Sequence, residues 1–105
     1  MTRVLRWLAL AAVLPACVAA LPFPQPTDVG VAQGGWPGTT QADLERGRTV
    51  YLRRCASCHI LHRPREVTPA KWPAVVEKMG PRAKLSPAEA ADVLRYLVVL
   101  SRAGD

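Results

Sequence analysis

Residues that usually carry chemistry are few in this 105-residue chain. There are three cysteines, two histidines and, beyond Met1, one methionine, Met79. An odd cysteine count with one member at Cys17, close to the start, implies no disulfide framework. No acid/base pair, nucleophile constellation or phosphate-cradling loop can be read from it, so enzyme classes that need those devices have no support. Acidic residues are scarce too, 8 against 14 Lys and Arg, for a formal charge of +6. Arg53 to Lys84 holds eight basic residues (Arg53, Arg54, Arg63, Arg65, Lys71, Lys78, Arg82, Lys84) and two acidic ones, Glu66 and Glu77. Without a recognised motif or aromatic interleaving of those bases, nucleic acid is not an expected partner. The basic stretch reads either as a solvated face or as a rim that steers docking onto acidic proteins. Long apolar runs are missing as well: Trp7 to Leu14 is too short to span a bilayer.

What is present begins with that short run. Preceded by Arg3 and Arg6, it reads as the core of an export signal over residues 1–20. Leu14-Pro15-Ala16-Cys17 resembles a bacterial lipobox, with the signal ending at Ala16 and Cys17 lipidated as a membrane tether. Proline in its second place is a departure. The alternative is cleavage after Ala20, with Val18 and Ala20 as the small residues, which discards Cys17. Residues 21–41 follow as a disordered linker. Pro22, Pro24, Pro26 and Pro37 alternate with Gly30, Gly34, Gly35 and Gly38 and leave no apolar periodicity to bury. Trp36 either folds back on the domain or stays exposed.

Residues 42–105 form the domain, and their pattern is helical. Thr40 caps a first helix with Asp43 and Glu45 in its opening turn. Leu44, Gly47, Tyr51 and Cys55 share one face at spacings of three and four. A second helix starts at Thr68-Pro69 or at Trp72-Pro73 and ends by Gly80-Pro81, with Trp72, Val75, Val76 and Met79 on one face. Ser86-Pro87-Ala88-Glu89 is a capping box for the last helix, whose stripe is Ala90, Val93, Leu94, Leu97 and Leu100. There is no strand signal and no internal repeat, so the fold class is all-α with three helices.

The first helix runs into Cys55-Ala56-Ser57-Cys58-His59. Zinc would need four ligands. Beyond Cys55, Cys58 and His59 only His62 is an obvious fourth, and all four would crowd one short segment. A redox dithiol would need a βαβ setting, which is absent. C-x-x-C-H is also the pattern of covalent c-type haem attachment. On a helical turn two sulfurs three residues apart lie on nearly one face and reach two vinyl groups on one porphyrin edge. The next residue, His59, can then turn its imidazole under the ring.

With the Gly47/Tyr51 pair before the motif, the lone Met79 after it and Tyr96-Leu97 in the closing helix, Ala42 to Gly104 resembles the small c-type cytochromes. The resemblance implies a compact domain wrapped around one covalently bound haem, exported to the periplasm, that acts as a one-electron carrier between redox proteins and not as an enzyme. Cys55 and Cys58 would form the thioethers and His59 would be the proximal iron ligand. The N-terminal helix would cross the C-terminal one at Gly47, with Tyr51 meeting Leu94, Tyr96 or Leu97. An electron carrier needs a sixth iron ligand, and Met79 is the one thioether at hand. The family commonly places that methionine in a loop beside proline, whereas here it sits at a helix end before Gly80-Pro81. A plain core methionine, His62, a lysine or an open position are the alternatives. In the family a proline carbonyl often bonds the haem histidine, and Pro64 is the candidate. Trp72 packs on the haem as core or offers its indole N–H to a propionate, and Arg63 and Arg65 reach propionates or stay solvated. The runner-up function is a haem-based gas sensor, or a small haem subunit of a larger oxidoreductase, with an open or weakly ligated distal site. Size agrees with a bound cofactor, because a domain of roughly 60 residues usually needs a staple.

Overall fold

A computed structural model describes residues 21–56 and 61–102; the signal, Cys17, Cys58 and His59 lie outside the described residues. Among the described residues the chain is helical throughout, with no strand. Four α-helices appear there where three are expected: α1 (Pro26–Gly35), α2 (Gln41–Val50), α3 (Trp72–Met79) and α4 (Pro87–Arg102).

The additional helix is α1, and it corrects the expectation of a disordered linker over residues 21–41. Pro26 suits the first helical position, and the Gln25 backbone N–H donates to the Asp28 carboxylate at 2.6 Å, closing the first turn. Ala32 is fully buried and Leu21 is 4% exposed. Three side chains hold the approach to α1 by its carbonyls. The Tyr96 hydroxyl donates to Pro22 at 2.7 Å, the Gln41 amide to Pro24 at 2.6 Å and the Arg48 guanidinium to Leu21 at 3.2 Å. Trp36 folds back and is half-buried against the core. The helix has little apolar periodicity because its stability comes from α4 and α2 rather than from its own stripe.

Helix α2 opens where Thr40 predicts. Its hydroxyl accepts from the Asp43 N–H at 3.2 Å, and the Asp43 carboxylate accepts from the Thr40 N–H at 2.9 Å. After Val50 the helix widens into a π-helical turn, Tyr51–Cys55, of the kind often found at functional sites. Helix α4 is capped reciprocally by Ser86 and Glu89. Both prolines near α3 are used: Pro69 opens a 3₁₀ turn, Pro69–Lys71, and Pro73 sits in the first turn of α3 itself. A further 3₁₀ turn, Pro64–Glu66, lies against α4.

The α2–α4 crossing fixes the core. A Cβ built on Gly47 would stand 2.1 Å from the Asp92 carbonyl oxygen and 2.9 Å from the Tyr96 Cβ, so only hydrogen fits there. Tyr51 follows one turn on, its ring centroid 6.5 Å from that of Tyr96. At the crossing the buried Asp92 is paired with Arg46 at 2.7 Å and Arg95 at 2.6 Å. Burial of α4 extends beyond the expected stripe to Tyr96, Val98, Val99 and Ser101. Cover by α1 gives the second buried face its physical reason.

Candidate functional site

An apolar cavity of about 760 Å³ opens between the end of α2, α3 and α4. That volume falls within the range of sites that hold cofactors and other small molecules, roughly 300–1,000 Å³. Val93 and Leu97 supply part of its wall from α4, Val75, Val76 and Met79 from α3, and Leu61, Val67 and Leu85 from the connecting segments. Among the described residues neither a carboxylate nor an amine lines it.

Cys55 reaches the cavity because α2 and the π-helical turn after it carry Leu44, Gly47, Tyr51 and Cys55 at spacings of three and four. Leu44, Gly47 and Tyr51 are buried, and Cys55 is half-buried at the cavity wall. Cys58 and His59 lie outside the described residues, but the chain re-enters the same wall at Leu61 and His62. Met79 is brought into the same cavity from the last turn of α3, half-buried. Cys55 and Met79, the described members of the expected set that would bond the haem or its iron, therefore share one apolar space although 24 positions separate them in the numbering.

Trp72 is 1% exposed and lines the cavity as core. Its indole N–H donates to the Pro64 carbonyl at 2.9 Å. The indole has a single N–H, so that donor is committed to the protein and a bond to a propionate is replaced. Pro64 is buried, and the described partner of its carbonyl is Trp72. His62 lies at the cavity margin with its side chain 68% exposed, and its Nδ1 is 3.0 Å from the Glu66 carboxylate. That contact holds the Glu66 carboxyl below its usual range. Arg63 is exposed and pairs with Glu66 at 3.4 Å; Arg65 is exposed on the same turn.

Sequence reasoning missed a role of Tyr51. It places the ring at the helix crossing, but the hydroxyl goes on to donate to the His62 carbonyl at 2.7 Å. Burial, with the neighbouring Cys55 and Glu66, pushes this phenol up to about 12, so it remains a donor through the physiological range. One sequence signal pointed to it: Tyr51 stands one helical turn before Cys55 on the same face.

Among the described residues no helix is long and apolar enough to cross a membrane. Comparison of the chain with protein-family models, with curated proteins and with solved structures finds no match.

Proposed function

We propose that this chain is an exported one-electron carrier that holds a single haem through Cys55 and Cys58, with His59 and Met79 as iron ligands. The observation that supports it most is the convergence of Cys55 and Met79 on one large apolar cavity. A flat apolar ring needs such a wall, and the donor set matches its chemistry: thiols for its vinyl groups, an imidazole and a thioether for its metal. When bound, haem iron would supply the exchange of one electron between ferrous and ferric states, and a thioether among its ligands would favour the ferrous one.

The rest is the work of this chain's own residues. Val93, Leu97, Val75 and Val76 give the cavity an apolar wall, which around a bound haem would limit water and keep rearrangement on a change of charge small. Tyr51 and Trp72 direct their polar atoms to backbone carbonyls and away from the cavity interior. Among the described residues the lining is otherwise apolar apart from Tyr51, Cys55 and His62, and the Tyr51 hydroxyl is bound to a backbone carbonyl. The eight basic residues from Arg53 to Lys84 are all exposed, on the segments that border the cavity, and would meet acidic redox partners there. Residues 1–20 would direct export to the periplasm, with Cys17 as a lipid anchor if cleavage falls after Ala16.

Absorption spectroscopy of the exported protein tests this reading. The oxidised form is expected to show the weak red-end band of sulfur–iron ligation, and Met79→Ala to lose it while keeping the haem. Ready binding of carbon monoxide by the untouched reduced protein would overturn the carrier in favour of a gas sensor or an open-site subunit.

A further inference from the structure

The segment that leaves the C-x-x-C-H motif is held by two buried donors from different helical elements. The Tyr51 O–H, on the π-helical turn after α2, donates to the His62 carbonyl at 2.7 Å. The Trp72 N–H, at the start of α3, donates to the Pro64 carbonyl at 2.9 Å. Their rings meet edge to face, 83° apart with centroids at 6.3 Å, so the two donors form one packed unit. Tyr51 is 6% exposed and Trp72 1%, and Pro64 is buried beneath them.

Phenylalanine at either position would keep an aromatic ring in the core, so the O–H and N–H do something that packing alone does not require. Both are spent on carbonyls only two residues apart, in a stretch without a regular helix to satisfy them. Tyr51 also begins the π-helical turn that ends at Cys55. One residue therefore acts on both sides of the motif, through its backbone turn towards Cys55 and through its hydroxyl at His62. Cys55, which opens the motif, and Leu61, two residues after His59 in the sequence, both line the cavity.

We propose that Tyr51 and Trp72 are positioning residues for His59, acting through the carbonyls of His62 and Pro64. This rests on the haem reading above and extends it to residues that do not touch the iron. The orientation of a ligating histidine sets the properties of its metal, and the groups that fix it matter nearly as much as the ligand. Removing the Trp72 donor leaves the buried Pro64 carbonyl unsatisfied, removing the Tyr51 donor frees the part-buried His62 carbonyl, and either loss lets the loop relax away from the cavity.

Tyr51→Phe and Trp72→Phe test it in the full exported protein, with Tyr96→Phe as control. Tyr96 packs against Tyr51 but donates its O–H to a different proline carbonyl, that of Pro22 in the segment before α1, and makes no such bond to residues 61–66. Amide hydrogen exchange over residues 61–66 is expected to quicken roughly tenfold in the first two variants and to stay unchanged in the control, as for one lost buried hydrogen bond. The reduction potential and the paramagnetically shifted ring resonances of His59 are expected to move in the same two. Potentials and resonances that hold still in both variants, or that move equally in Tyr96→Phe, overturn the proposal and leave only a packing role. Lack of haem in the untouched protein would instead overturn the parent reading and the ligand role with it. Exchange at 61–66 would then still decide whether the two donors hold the loop.

Discussion

Gly47 shows how a single missing atom positions the rest. Its Cβ would fall inside van der Waals contact of the Asp92 backbone, which cannot move without shifting α4. Gly47→Ala is therefore expected to lower stability by about 1–3 kcal/mol, the usual range for overpacking, despite alanine's helix preference of about 1 kcal/mol. Gly34→Ala, in α1 with nothing within 4 Å of the added methyl, is expected to be neutral or to stabilise by up to about 1 kcal/mol. Chemical denaturation of the two variants checks the pair, and equal losses at both sites would remove the close crossing. Gly47 was legible in the sequence because a glycine on a buried helix face has few explanations besides close approach. The Trp72–Pro64 bond was not legible. A backbone carbonyl leaves no mark in a sequence, and only the tertiary path of residues 62–72 brings it under the indole.

Helix starts were legible where their signals are local. Thr40 with Asp43 and Ser86 with Glu89 satisfy one another across three positions, so residue types alone define the cap. The Asp43 cap carries a pH dependence. Its backbone bond to Thr40, followed by the Arg46 side chain, lowers the carboxyl from 3.8 to about 2. A depressed carboxylate contributes stability that is complete above the unfolded value and is lost as pH falls through the folded one. The loss is thus expected between 3.8 and about 2. Asp43→Asn should flatten thermal stability across that window in melts at stepped pH, and an unchanged acid slope would show that the cap is not ionic. Helix α1 was hidden because its signals are not local. Its glycines and prolines argue for a loop, and what orders it is Tyr96, Gln41 and Arg48 reaching from other helices. Val98 and Val99 are buried too, on a face of α4 that its stripe does not mark.

At the scale of the whole molecule, a small helical core leaves a large apolar cavity instead of closing over it. A chain of this size has little stability to spare, and one or two kcal/mol is a large share of the total. An apolar plate bonded to the wall would fill that space and tie the motif, α3 and α4 together. The pentapeptide suggests this chemistry from sequence alone, whereas the size of the cavity and the arrival of Met79 in it depend on how α3 lies against α4. The central claim is the covalent bond between cofactor and chain. Intact mass of the exported protein, measured before and after extraction with acidified organic solvent, tests it most directly. The mass is expected to exceed that of the mature polypeptide by one haem and to survive extraction unchanged. A mass equal to the bare polypeptide, with Cys55 and Cys58 both open to alkylation, would contradict the account.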